Sequence, residues 1–82
     1  MNKMKKLSKD MDWSNIDHEL YRVYVFPTPD GVREIRIEKP MYLNVSESMG
    51  HRILDSKNVS HYIPYEWIHL YWETNDDTAF RF

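Results

Sequence analysis

"LYRVYVFPTPDGVREIRIEK", residues 20–39, decides the fold. Apolar and polar residues alternate on both sides of a Pro- and Gly-bearing centre, which is the period of a strand and not of a helix. Pro29 presets φ for the second position of a type I turn, Asp30 follows, and Gly31 takes the left-handed position of a bulge. A three-residue loop of this kind sets Thr28 opposite Val32. That register puts Val23 and Val25 on one face with Ile35 and Ile37. Arg22, Tyr24 and Phe26 then share the other face with Glu34, Arg36 and Glu38. The hairpin is expected to be aliphatic inside, and charged and aromatic outside.

The same logic extends downstream. Pro40 ends the second strand, and Met41, Leu43 and Val45 lie on one face of a third. Gly50 turns the chain after "SESMG". In "HRILDSKNVSHYI", Asn58 replaces glycine at the left-handed position, which Asn tolerates. That turn pairs Asp55 with Val59, Ile53 with His61 and His51 with Ile63. Pro64 breaks the ladder, "WIHLYWE" forms a further strand, and "TAFRF" forms a last short one. Roughly six short strands with turns about every ten residues describe an all-β domain. At 82 residues, a small, strongly bent barrel of the SH3-like or OB-like kind is the economical solution, because closure hides strand edges. Residues 20–82 form this single domain. Residues 1–19 form a peripheral N-terminal segment, helical or partly disordered. Its Met4, Leu7 and Met11 make a narrow helical stripe, and Ser14 with Asp17 is placed to cap a short turn.

Composition narrows function. Eleven basic residues against thirteen acidic ones leave a formal net charge of −2, so no overall field draws the chain onto duplex DNA. Lys3, Lys5, Lys6 and Lys9 make the start basic, while Glu66, Glu73, Asp76 and Asp77 make the end acidic. No apolar run reaches the roughly 20 residues that span a bilayer, so no membrane role is expected. The chain has no cysteine, which excludes disulfides and thiolate sites and suits a cytoplasmic protein. With only two glycines, it has no phosphate-cradling loop, and no cofactor is expected. Asp55 with His61, and Glu66 or Glu73 with His69, are conceivable acid–base pairs. No nucleophile turn accompanies them, so the chain is read as non-enzymatic. His51, His61 and His69 lie on three successive strands but lack metal-ligand spacing. No metal is expected.

What remains is a surface. In "WIHLYWE", Ile68, Leu70 and Trp72 are expected to point inward, and Trp67, His69 and Tyr71 outward. Tyr62 and Tyr65 flank that row, and Arg36 and Arg52 supply nearby cations. Exposed aromatic residues in a contiguous set mark partner or ligand sites. The expected function is a protein-interaction module, acting as a homo-oligomer or as an inhibitor or adaptor on a protein target. The alternative is sequestration of a nucleotide or a short single strand by aromatic stacking and Arg contacts. No family signature is recognisable in the residues. The small size and aromatic-rich, acidic composition would suit a phage or mobile-element protein that blocks or sequesters something.

Overall fold

Every strand pairs antiparallel with its neighbours, and two sheets result. The computed structural model describes residues 7 and 10–75. Its strands are β1 (Ser14–Asn15), β2 (Glu19–Thr28), β3 (Gly31–Glu38), β4 (Pro40–Val45), β5 (His51–Asp55), β6 (Ser60–Ile63) and β7 (His69–Thr74). One sheet has the order β1-β4-β5-β6 and the other β3-β2-β7. No helix occurs among the described residues. The fold is therefore all-β, a small barrel-like pair of sheets that are not closed by a joining ladder. Most of the expected N-terminal helix, and the expected strand at 78–82, lie outside the described residues.

The core lies between the sheets. Tyr24 and Ile37 meet Ile53 and Ile63, with Phe26, Ile35, Leu43, Trp67 and Leu70 packed around them. Lys39 carries the chain from one sheet to the other. It adopts φ 47°, its N–H bonds the Leu20 carbonyl, and its carbonyl accepts the Ser56 N–H. Residues 12–16 lie along the β4 edge. Asp12 O accepts the Asn44 amide, and Ile16 N–H bonds Met41 O. The turn after them is held by Asn15, whose Oδ1 accepts the Asp17 N–H at 2.9 Å. Ser14 instead pairs with Leu43 as part of β1.

The β2–β3 register differs by one residue from the expected one. The loop is the two-residue Pro29–Asp30, so Thr28 pairs with Gly31, Tyr24 with Ile35 and Arg22 with Ile37. A one-residue slip exchanges the faces. Arg22, Tyr24 and Phe26 share the inner face with Ile35 and Ile37, and Val23 and Val25 turn outward. Both valines are nonetheless buried, because β2 is the central strand. Val23 sits between Arg36 and Tyr71, and Val25 between Glu34 and His69. Long neighbouring side chains therefore help to shelter the valines.

Gly31 has φ +140°, and a Cβ placed there would meet nothing within 4 Å. The penalty of a side chain is thus purely conformational. Gly31→Val is expected to lower stability by about 1 kcal/mol or more, read as a lower urea midpoint with unchanged m. An unaltered midpoint would mean that the backbone at residue 31 relaxes freely.

The β5–β6 hairpin forms as expected, with Ile53 opposite His61 and His51 opposite Ile63. Asn58 has φ 66°. Asp55 organises the turn by accepting the Lys57 and Val59 N–H groups on Oδ1.

Candidate functional site

The expected surface residues fall in three places. His69, Tyr71 and Arg36 lie on the outer face of the three-stranded sheet. Tyr62 and Arg52 lie on the outer face of the four-stranded sheet. Trp67 and Tyr65 lie at the corner between β6 and β7. Each placement follows from local backbone.

At the corner, Glu66 N–H bonds Pro64 O, and Ile68 N–H bonds Val25 O. The chain is therefore turning until Ile68, and alternation begins only at His69. This reverses two expectations. Ile68 is 63% exposed, while Trp67 packs against the core. The Trp67 ring makes an edge contact with Tyr24 at 5.0 Å, lies 4.8 Å from His51, and meets Tyr65 edge-on at 5.1 Å. From His69 onward the expected alternation is present. Leu70 and Trp72 face inward opposite Tyr24 and Arg22, and His69, Tyr71 and Glu73 are exposed.

The outer face of the three-stranded sheet is built around Arg36 and the aromatic residues beside it. The Arg36 guanidinium lies 3.8 Å over the Tyr21 ring and donates to Glu38 at 2.6 Å. That hydrogen bond holds the guanidinium pKa above its usual value. Across Val23 from Arg36 stands Tyr71, which is 38% exposed and packs its ring 5.3 Å from that of His69. The rings are ordered by side-chain contacts while still reaching solvent, so little conformational entropy remains to be lost on binding. Glu34, Glu38 and Glu73 share this face, which makes it acidic overall.

The outer face of the four-stranded sheet is a hydroxyl and amide cluster. Arg52 Nη1 donates to Asn44 Oδ1 at 2.7 Å, and its guanidinium lies 5.8 Å from the Tyr62 ring. Tyr62 Oη lies 3.1 Å from Ser48 Oγ and 3.4 Å from Ser46 Oγ. Hydrogen bonds from these serines hold the phenol pKa below its usual range. Gly50 lies directly beneath, where a Cβ would press on the Tyr62 ring end and come 2.9 Å from the Ile63 carbonyl. Beside the cluster is a depression of about 640 Å³ whose rim, among the described residues, carries Asp10, Asp12 and Glu47 against Arg52. Among the described residues, three carboxylates around one cation that is itself bonded to an amide do not favour a phosphate.

Between the sheets lies a polar chain that sequence reasoning missed. Glu19 and Arg22 are both buried, and Arg22 Nε and Nη2 donate to the Glu19 carboxylate at 2.8 and 2.6 Å. Arg22 Nη1 donates to Tyr24 Oη at 3.2 Å, and Tyr24 Oη lies 2.6 Å from His51 Nδ1. The guanidinium also lies 4.9 Å from the Trp72 ring. Burial pulls the Arg22 pKa down, but the hydrogen bonds and charge interactions of Glu19 and Tyr24 together outweigh it and the net shift is upward. Burial raises the Tyr24 phenol against the opposing effect of Arg22. Burial, and then the Arg22 charge, push His51 down to about 4. His51 is therefore neutral at pH 7, with Nδ1 and the Tyr24 hydroxyl sharing one hydrogen bond.

Asp55 and His61 do meet, with Nε2 and Oδ2 2.8 Å apart. Burial would raise the Asp55 pKa. The His61 bond and the Val59 and Lys57 N–H groups more than offset this and hold it low. Among the described residues, no group of three or more His, Cys, Asp or Glu is placed to hold a metal ion. No helix among them is long and apolar enough to cross a membrane. In comparisons with protein-family models, curated proteins and solved structures, the chain matches none of them.

Proposed function

We propose that the chain is a non-enzymatic protein-interaction module, and that it docks through the outer face of its three-stranded sheet. The observation that carries this reading is the ordered, solvent-reaching set of Tyr21, Arg36, His69 and Tyr71. Tyr and Arg are the residue types that dominate protein interfaces. The carboxylates of Glu34, Glu38 and Glu73 on the same face favour a protein partner over a phosphate-bearing one. Stacking by the expected Arg pair finds less support, since Arg36 and Arg52 lie on different sheets. A cytoplasmic setting, which the cysteine-free sequence suits, belongs to this proposal.

The test is affinity capture with the purified chain, with retained proteins identified by mass spectrometry and measured against two variants. Tyr71→Ala and Arg36→Ala are expected to weaken the same partner on the order of tenfold or more, while far-UV circular dichroism stays β-rich. Thermal stabilisation by nucleotides, with no protein contact depending on Tyr71, would replace this reading with ligand binding.

A further inference from the structure

Strand β3 closes one side of the three-stranded sheet, and its outer edge is open. It pairs with β2 along its whole length without a bulge, and its eight residues include no proline or lysine. All of them except Ile35 and Ile37 are exposed. The direction of the edge groups follows from the hairpin. A two-residue loop closes on a mutually hydrogen-bonded pair, here Thr28 with Gly31, and bonded pairs then alternate with non-bonded ones along the ladder. Pro27, which has no N–H to donate, accordingly falls in a non-bonded pair with Val32. The N–H and C=O groups of Val32, Glu34, Arg36 and Glu38 therefore point away from β2. Among the described residues, these groups bond no other backbone.

Open edges invite strand addition, and proteins block them with prolines, bulges, short strands or charge. Only charge is present on β3, as Arg33, Glu34, Arg36 and Glu38. Whether that charge repels depends on the strand that approaches, and for a second β3 symmetry restricts the answer. A twofold axis perpendicular to the sheet keeps outer side chains beside outer side chains, so it must pass beside one residue paired with its own copy. Centring on Arg33, Glu34 or Arg36 sets a charge against itself. Centring on Ile37 leaves only residues 36–38 to pair, because the chain departs for the other sheet at Lys39. Centring on Ile35 sets Glu34 opposite Arg36 twice, Val32 opposite Glu38 twice, and Ile35 opposite itself. All four outward-pointing residues then meet as hydrogen-bonded pairs, and every charged pair on the outer face is of opposite sign. Arg36 is already held by Glu38 at 2.6 Å, while Glu34 makes no ion pair with a described residue.

We infer that two copies join antiparallel through β3 with the twofold axis at Ile35. One continuous sheet results, in the order β7-β2-β3-β3-β2-β7. Each Arg36 stands between its own Glu38 and the other copy's Glu34. The contact is isologous, so it closes at a dimer. The charge pattern that repels an unrelated strand thus selects a second copy in one register. This goes beyond the interaction-module reading, because it concerns the sheet edge and leaves the outer face, now doubled, available to another protein.

The chain has no cysteine, so an introduced thiol reports the register without background. At the axis, paired Cα atoms sit about 4.5 Å apart, which is within disulfide reach. Ile35→Cys is expected to form a disulfide-linked dimer under mild oxidation, and Val32→Cys, far from its own copy in this register, is not. In sedimentation, Glu34→Arg alone should weaken the dimer on the order of tenfold or more by setting Arg against Arg36, and Arg36→Glu alone should do the same by setting Glu against Glu34. An equimolar mixture of the two variants should dimerise again, since every outer pair is then of opposite charge. Circular dichroism that stays β-rich shows that both variants are folded. A strict wild-type monomer would overturn the inference. So would linkage through Val32→Cys with none through Ile35→Cys, or a mixture that stays as weak as its parts. A monomer that still captures another protein in a Tyr71-dependent way leaves the interaction module standing and removes only the dimer.

Discussion

Arg22→Ala is expected to cost on the order of 3–5 kcal/mol, the usual penalty for removing one partner of a buried pair. A domain of this size holds roughly 5–10 kcal/mol in total, so the variant should be largely unfolded under mild denaturant. The cost has identifiable parts. Glu19 would keep a buried carboxylate that has lost two donated hydrogen bonds. Tyr24 would lose a donor to its hydroxyl, and Trp72 would lose the cation beside its ring. Replacing both partners, as Glu19→Leu with Arg22→Met, should cost less than Arg22→Ala alone, since no uncompensated charge is left. Urea midpoints of the single and double variants measure this. A double variant less stable than Arg22→Ala would mean that the ion pair contributes net stability beyond satisfying itself.

Acid should weaken the domain before its carboxylates titrate. His51 has its native pKa lowered from 6.5 to about 4. A group whose native pKa lies below the unfolded one contributes stability that is complete above the unfolded value. Between pH 6.5 and pH 4 the unfolded chain binds a proton at residue 51 that the native chain does not, so stability falls with falling pH across that window. The full gap corresponds to on the order of 3 kcal/mol, and residual solvent access reduces it to about 2 kcal/mol. Asp55, held below its ordinary 3.8, adds a separate loss at more acid pH. His51→Asn keeps an acceptor for Tyr24 without a titrating ring, and should flatten the curve between pH 6.5 and pH 4. A wild-type midpoint that stays constant across that window would show that His51 is not held neutral by the fold.

The elements that were legible in the sequence share one property: a local signal fixed them. Asp55 and Asn58 specify their turn through side-chain and backbone geometry within five residues, and the β5–β6 register follows. The alternation of His69 to Glu73 likewise gave the faces of β7, and with them two of the outward residues. The β2–β3 register was not legible, because "PTPDG" admits a two-residue or a three-residue loop. Each choice gives β2 a credible inner set, either Val23 with Val25 or Tyr24 with Phe26. What decides is that β2 is central and buries both, a fact of tertiary structure. Arg22 belongs to the expected outer face and Glu19 to the expected peripheral segment, since charged residues are rarely buried, and their pairing depends on the irregularity between Glu19 and Tyr21. Trp67 and Ile68 exchanged roles because the Pro64 corner runs longer than the sequence marks it.

The pairing of Tyr21 with Glu73 also has a kinetic meaning. The β2–β3 and β5–β6 hairpins close over a few residues each and can form early. Strand β7 can dock on β2 only after almost the whole chain has been brought back to its start, and that loop entropy is paid late. Until then β2 presents an open edge with buried-type side chains on both faces. A second molecule's β7 has the same sequence as the missing strand and fits that edge equally well. At high concentration during refolding, exchange of β7 between two chains is therefore the characteristic error of this topology, and the Pro64–Ile68 corner is the hinge on which it would turn.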